Sequence, residues 1–425
     1  MKMNRILICS FITLIIILFT YTAKVSASET KSSAKTVALQ VVLNLIKGDY
    51  TAVTKQFDNE LAKAISTEQL KNSWEGIIDI AGKYYDIVYV ESYLQDGRYI
   101  CKVTTQHKLR GIESKIVYNK NMQISELLFT DIENKSDLSE NEVAVTIGTD
   151  YPLDGVLALP SGTEKVPAVV LVHGSGASNK NESVFGIKPF KDISNYLVAN
   201  GIAVLRYDKR TYTHSVKLSL DPTKVTVANE TIEDAILAGQ LLSQNERIDS
   251  KRIFVVGHSQ GGILAPRIID ESNGVFAGAV IMAGSPRSLL EILNDQLTYF
   301  VSLTEEPERT AMIKKIEAAR PYFGIPKEYI DEMDAHPVSD YLKSTDKPYL
   351  ILQGAKDYQI TVEKDFEAYK QLVGQKSNFE FRLYDNLNHL FIISTMERPT
   401  GEDYVAGSQV DEAPLLDIVK WIKAK

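Results

Sequence analysis

The chain has 425 residues, 44% of them hydrophobic and 24% charged, which is ample material for at least one large core and unlike a disordered or collagen-like polymer. Its 47 Lys and Arg stand against 55 Asp and Glu, and this acidic balance lacks the phosphate-neutralising surface of a nucleic-acid binder, so DNA and RNA are not expected partners. At roughly 100–200 residues per domain, two or three domains are expected.

Met1 to Tyr21 joins a basic start (Lys2, Arg5) to an uncharged apolar run from Ile6 to Phe19. The pattern predicts a secretory signal peptide over residues 1–27, cut after Ala27 in the small-residue stretch Val25-Ser26-Ala27. The run is shorter than the ~20 apolar residues that span a bilayer. Cleavage would leave a secreted or extracytoplasmic chain with no stable membrane span; an uncleaved N-terminal anchor is the alternative. Cys9 lies inside this segment, so Cys101 remains alone and no intramolecular disulfide can form.

From Ser33 to about residue 130 helices precede strands, the order of a small α+β domain. Val37, Val41, Val42, Leu45 and Ile46 recur at helical spacing before Gly48, and a second helical stretch runs near Leu61 to Ile80. Ile87–Val90 and Tyr99–Val103 then flank Asp96-Gly97, a hairpin signal, and a further strand pair turns at Asn119-Lys120-Asn121. This order resembles the cone-shaped, nuclear-transport-factor-like domains that precede some bacterial exported hydrolases. Ligand binding, pairing into a homodimer and shading of an active site are all open roles for it. Residues 131–142, polar and charged from Asp131 to Asp137, read as a linker.

From Val143 onward, short apolar strands alternate with helices: Val143–Ile147, Gly155–Leu159, Ala168–Val172, Ile202–Tyr207, Ile253–Gly257, Ala277–Met282, Tyr349–Gln353 and Phe379–Tyr384, with helices at Asn229 to Gln244 and Asp411 to Lys423. Continuous β-branched runs are expected of strands buried on both faces, so the 143–425 segment reads as a doubly wound α/β domain. One interval, about 286–346, holds only helical segments such as Leu289–Leu303 and Glu308–Ala319, punctuated by Pro321, Pro326 and Pro337. Inserted after a strand, it is expected to cap the carboxyl edge of the sheet.

Gly257-His258-Ser259-Gln260-Gly261 follows a buried strand and opens a helix. A sharp strand-to-helix turn leaves no space beside the serine, so Gly257 and Gly261 let the backbone bend and present the Ser259 hydroxyl. On this motif the segment resembles the α/β-hydrolase superfamily, in particular bacterial esterases related to dienelactone hydrolases and prolyl-oligopeptidase-type catalytic domains. The resemblance implies an α/β-hydrolase fold and a serine nucleophile followed in chain order by an acid and a histidine. Asp357, in the turn after a predicted strand, matches the acid; Asp385 is the competitor. Among His107, His173, His214, His258, His336 and His389, only His389 has the right order and loop placement. His258 is expected to pack beside the site, and His214, after Asp208-Lys209-Arg210, is a candidate substrate contact.

The developing oxyanion needs preorganised donors. Val172-His173-Gly174-Ser175-Gly176 supplies a glycine-rich turn, and matching the family's pattern, the backbone N–H groups of Ser175 and Gln260 would form the oxyanion hole, with Gly176 an open alternative for the first. No Cys pair, His-Glu-x-x-His or Asp-rich calcium loop occurs, so neither metal nor cofactor is expected. The expected partner is a small-molecule ester. A serine peptidase with the same triad is the alternative, for which an acidic pair drawn from Glu305, Glu306 and Glu308 could hold a peptide amine.

Overall fold

The computed structural model describes residues 29–82, 84–95, 97–107, 111–132, 138–184, 187–214, 218, 225–319, 325–400, 403–405 and 407–425. The expected signal peptide, Asp96 of the first hairpin turn and residues 133–137 of the expected linker lie outside the described residues. The chain divides between Asp137 and Leu138 into two compact units.

In the first unit, helix α1 (Glu29–Lys47) turns Ala34, Ala38, Val41, Val42 and Leu45 into a core, since positions three, four and seven apart share a helix face. Gly48 follows at φ +77, a left-handed conformation that suits glycine at a helix end. Helices α2 (Tyr50–Thr54), α3 (Asn59–Ala64) and α4 (Thr67–Ala81) follow. Where the sequence pattern suggests one helix from Leu61 to Ile80, the structure breaks it at Ile65 and Ser66. The reason is a reciprocal cap: the Ser66 hydroxyl accepts from the Gln69 N–H at 3.2 Å and the Gln69 side chain accepts from the Ser66 N–H at 2.8 Å.

Strands β1 (Tyr84–Gln95), β2 (Arg98–His107), β3 (Gly111–Tyr118) and β4 (Ile124–Ile132) form an antiparallel sheet in chain order. Gln95 pairs with Arg98, with Gly97 at φ +71 in the turn between them, and the Asn119 side chain closes the later turn by accepting from Asn121 N–H at 2.9 Å and Gln123 N–H at 3.1 Å. Cys101 is buried on β2, where burial pushes its thiol up to about 11. It is a core residue with little thiolate character.

The second unit is built on an eight-stranded sheet of β5 (Glu142–Ile147), β6 (Leu153–Ala158), β7 (Val166–Val172), β8 (Ala203–Tyr207), β9 (Ile248–His258), β10 (Gly278–Met282), β11 (Tyr349–Gly354) and β12 (Phe379–Tyr384). The order across it is β12-β11-β10-β9-β7-β8-β6-β5, with β5/β6 and β6/β8 antiparallel and every other pair parallel. The central strands feed two cores alternately. Val170, Val172, Ile253, Val255, Ala279 and Ile281 face one, while Val169, Leu171, Phe254, Val256, Val280 and Met282 face the other. A strand covered on both sides has no position for a polar residue, which is why these runs are continuously apolar.

Helices α5 (Pro189–Ala199), α6 (Arg210–Thr213), α7 (Glu233–Ser243, entered through a π-turn at Ala228–Ile232) and α8 (Gln260–Glu271) lie between the strands. The insertion between β10 and β11 carries α9 (Leu289–Leu303), α10 (Glu308–Ala319), α11 (Lys327–Ala335) and α12 (Val338–Ser344). Finally α13 (Glu367–Val373) precedes β12, and α14 (Glu412–Ala424) covers the second core with Ile418, Trp421 and Ile422. This is an α/β-hydrolase fold with a helical insertion, preceded by a small α+β unit.

Trp74, 2% exposed and 5.0 Å from the Phe129 ring, anchors the first unit's core. Trp74→Ala is expected to cost that unit about 3–5 kcal/mol in urea unfolding. Two residues on, Gly76 is an exposed helical position where an added Cβ meets nothing within 4 Å, so Gly76→Ala should gain about 0.5–1 kcal/mol in the same measurement.

Candidate active site

Strand β9 runs into Ser259 and from there directly into α8. Ser259 adopts φ 52 and ψ −118, a backbone that a serine holds only when its surroundings force it. The force is close backbone approach. A Cβ on Gly257 would lie 2.2 Å from the Gly261 carbonyl oxygen, and one on Gly261 would lie 2.2 Å from that of Val172. Ser259 N–H donates to Met282 O at 2.8 Å, which ties the turn to β10. The Ser259 hydroxyl gives no cap to the helix, and the first N–H groups of α8, Gln260 foremost, lack intrahelical partners and carry the positive end of the helix dipole.

The turn after β11 brings in Asp357. One carboxylate oxygen accepts from the N–H groups of Gln359 at 2.8 Å and Ile360 at 3.0 Å, and the other lies 2.7 Å from His389 Nδ1 and 3.3 Å from Gln353 Nε2. A carboxylate can only accept, so the His389 proton sits on Nδ1 and Nε2 is left as a base. Both loops are fastened: Ala355 N–H donates to Tyr384 O at 2.8 Å, Lys356 N–H donates to Leu387 O at 2.9 Å, and the Asn388 side-chain oxygen accepts from Leu390 N–H at 3.0 Å. Asp385, the competing acid, is exposed.

His389 meets the serine turn through His258, whose Nε2 lies 2.9 Å from the His389 carbonyl oxygen and whose ring centre lies 4.8 Å from the His389 ring. Among the hydrogen bonds of the described residues, none joins the Ser259 hydroxyl to His389. Such a bond commonly tightens only with substrate in place. Where the sequence suggests packing alone for His258, the structure gives it two polar contacts, the second with Glu182 Oε2 at 3.0 Å.

Gly174 lies against the serine, since a Cβ there would be 3.2 Å from Ser259 Cβ. Its N–H donates to Glu182 Oε1 at 2.7 Å and its carbonyl accepts from Lys209 Nζ at 2.9 Å. The Gly174 N–H is therefore occupied, and the next donor in line is Ser175, whose N–H points opposite to the pinned Gly174 carbonyl because the peptide is trans. Gly176 follows at φ +83. The loop is held from β8 and the residues after it: Lys180 N–H donates to Asp208 at 2.7 Å, Lys209 N–H to Ser178 O at 2.9 Å, and the Arg206 guanidinium to the Asn181 side chain.

Lys209 is 1% exposed and lies 3.4 Å from Glu230. Glu230 accepts from the Tyr329 hydroxyl at 2.7 Å, and that hydroxyl accepts from Gln260 Nε2 at 2.8 Å. A buried polar chain thus runs from the glycine loop through Lys209, Glu230 and Tyr329 of the inserted helix α11 to the residue after Ser259. No sequence motif marks Glu182 or this chain. The one signal for it is charge placed where apolar strands end, as in Asp208-Lys209-Arg210.

Other histidines and the acids of the insertion have contacts or surroundings of their own. His214 Nε2 is 3.0 Å from Pro152 O and its ring meets Tyr151 edge-on, and His336 is bonded to the Tyr341 hydroxyl. Glu305 and Glu306 are exposed. Among the described residues, no group of three or more His, Cys, Asp or Glu could hold a metal ion, and no helix is long and apolar enough to cross a membrane.

His173 is buried between Phe190 and Tyr207, with Nε2 3.1 Å from Asn179 O. Burial pushes its pKa down to about 4 against the opposing pull of Glu182. A histidine with a depressed folded pKa gives stability above its unfolded pKa near 6.5 and loses it as pH falls toward 4. Relative to His173→Gln, which can still donate to Asn179 O, the native protein should lose about 3 kcal/mol of urea stability between pH 6.5 and pH 4.

Residues 190–403 match the model of the prolyl oligopeptidase family, and residues 38–127 match a family described as protein of unknown function (DUF3887). Esterase EstD of Thermotoga maritima is 30% identical over 403 residues, covering 91% of this chain and 94% of the relative. The acylamino-acid-releasing enzyme of Rattus norvegicus is 23% identical over 247 residues, which is 56% of this chain and 31% of that enzyme. Among solved structures, an esterase of Pyrococcus furiosus superposes with a TM-score of 0.45 at 20% identity, covering 68% of this chain and 93% of its own. With a family model matching half its length and a relative of this identity aligned across both units, the chain belongs to the prolyl oligopeptidase family and is a hydrolase of the serine esterase kind.

Proposed function

We propose that this protein is an exported serine hydrolase that cleaves carboxylic esters through an acyl-enzyme, with Ser259 as nucleophile, His389 as general base and then acid, and Asp357 as the carboxylate that orients His389. The observation that carries the reading is the 2.7 Å contact of buried Asp357 with His389 Nδ1 beside the constrained Ser259 turn. Ser259 Oγ attacks the ester carbonyl carbon while its proton passes to His389 Nε2. The oxyanion is met by the N–H groups of Gln260 and Ser175. Collapse expels the alcohol, which takes the proton from His389, and water then attacks the acyl-enzyme with the same base.

An ester is favoured over an amide because the esterase relative aligns across both units, whereas the acylamino-acid-releasing enzyme aligns over less than a third of its own length. The family match keeps a serine peptidase with the same triad as the second reading. Exposed Glu305 and Glu306 give that reading little, since a surface charge run is ordinarily a solvated face. Glu305-Glu306-Pro307-Glu308-Arg309 is also not an apolar lid, which fits short-acyl or acetylated-sugar esters better than long lipids.

Turnover of p-nitrophenyl esters from two to twelve carbons, compared with aminoacyl-p-nitroanilides, tests the reading. Ester cleavage that falls by roughly 10⁴-fold or more in Ser259→Ala is the expected result. Anilide cleavage alone would move the assignment to peptidase, and undiminished turnover in Ser259→Ala would remove Ser259 from the chemistry.

Export rests on residues 1–27 as a signal peptide. N-terminal sequencing of protein recovered from outside the cytoplasm should begin at Ser28, and an intact Met1 terminus in the membrane fraction would make the segment an anchor. The first unit is read as a nuclear-transport-factor-like domain whose open roles are ligand binding, pairing of two subunits and shading of the site, and a dimeric mass in solution would favour pairing.

A further inference from the structure

The reaction as described leaves a buried acid and a buried histidine without a task. His258 is 6% and Glu182 8% exposed. Both ring nitrogens of His258 lie near acceptors: Nε2 is at hydrogen-bond distance, 2.9 Å, from the His389 carbonyl oxygen, and Nδ1 is 3.0 Å from Glu182 Oε2, an ion-pair distance without hydrogen-bond alignment. Neither a carboxylate nor a carbonyl has a proton to give, so a neutral ring would set a bare nitrogen against a lone pair. An imidazolium gives the carbonyl a donor and sets a positive charge beside the carboxylate. The only neutral arrangement moves the proton onto Glu182, whose other oxygen already accepts the Gly174 N–H at 2.7 Å.

The surroundings agree. Burial opposes charge on His258, but Glu182 outweighs it and raises the ring's pKa; burial likewise opposes the Glu182 carboxylate, and His258 outweighs it and lowers that pKa. The other titratable groups facing the pair are Asp357, whose charge favours the imidazolium, and His389 and His173, the last held neutral by its own burial. Lys209 stands on the far side of Gly174. A buried ion pair costs several kcal/mol of desolvation per ion and is seldom a net source of stability. Its contacts are instead directed at two backbone groups, the His389 carbonyl and the Gly174 N–H.

We infer that Glu182 and His258 are a positioning pair for the Ser259 reaction: the His258 imidazolium holds the His389 loop by its carbonyl, the Glu182 carboxylate holds the glycine loop by the Gly174 N–H, and the ion pair between them fixes both loops to the nucleophile turn. The inference rests on the triad reading above. It gives the site two acid–histidine pairs with different tasks: Asp357 with His389 moves the proton, and Glu182 with His258 sets where the base and the first oxyanion donor stand.

Two variants of the full chain test it. Glu182→Gln keeps the shape, and its amide oxygen can still accept from Gly174, but the charge is gone; His258→Phe keeps a ring and loses both N–H groups. Displacement of reacting groups by about 1 Å costs on the order of 10²-fold in rate, so kcat should fall by about 10–100-fold in each variant while KM stays within about threefold. Fluorophosphonate labelling of Ser259 should slow in parallel. Unchanged kcat in the folded variants overturns the pairing.

Should neither variant fold, ¹⁵N spectra of histidine-labelled native protein decide. At pH 7.5, where a free histidine with pKa near 6.5 is mostly neutral, one ring is expected with both nitrogens protonated, and finding no such ring overturns the inference. Native protein that is not labelled at Ser259, or Ser259→Ala that still turns over, would instead defeat the triad reading, with the nitrogen spectra still reporting the state of the pair.

Discussion

The site depends on a steric constraint more than on any bond. Between Gly257 and Gly261 the backbone folds back so closely that even a methyl group on either glycine would collide with a carbonyl, and one of those carbonyls belongs to β7, the neighbouring strand. Atoms at van der Waals limits leave Ser259 one backbone conformation, and the parallel register of β7, β9 and β10 fixes that conformation in space. A hydroxyl presented this way loses little freedom on meeting a substrate, because the cost of ordering it is met by the sheet.

Around that turn the protein buries an unusual amount of charge. Glu182, His258, Lys209, Glu230 and Asp357 are each at most 8% exposed. Desolvated charges are tolerable only when each is answered by an opposite charge or by aligned dipoles. Here the answers are largely backbone groups of the loops themselves: Gly174 offers its N–H to a carboxylate and its carbonyl to an ammonium. Loops that would otherwise sample many conformations are thereby held with strand-like definition, which is what electrostatic stabilisation of a transient oxyanion requires.

The fold was readable wherever its cause is local. Eight runs became eight strands, the central ones β7 and β10 continuously apolar because burial on both faces forbids polar residues, the edge strands β5 and β12 with exposed polar positions, and α9 and α10 stand where helical periodicity is uninterrupted. The stretch from Leu61 to Ile80 was misjudged for an equally local reason, a serine and glutamine three residues apart that cap each other, and α11 and α12 were hidden by brevity and flanking prolines. Ser259, Asp357 and His389 could be named as candidates because motif and chain order single them out. Glu182, Lys209 and Glu230 could not. Their partners are a glycine's backbone and side chains as distant as Tyr329, so nothing within a window of sequence marks them.

The Tyr329 hydroxyl is one point where the inserted helices hold the residues around Ser259, wedged between Gln260 and Glu230. Glu332 adds a second attachment on the same helix, accepting from Val227 N–H at 2.7 Å and Ala228 N–H at 3.0 Å, and Gln296 of α9 donates to Gln359 O at 3.2 Å, so the insertion has parts with unequal liberty to vary. The stretch around Tyr329 and the part of α9 that bonds the Asp357 loop through Gln359 share their fate with the site, whereas α10, bonded through Met312 and Arg309 to Thr304 at the end of α9, has more liberty to be reshaped. Substrate preference in an enzyme of this build can drift by remodelling its roof while the chemistry below stays in place.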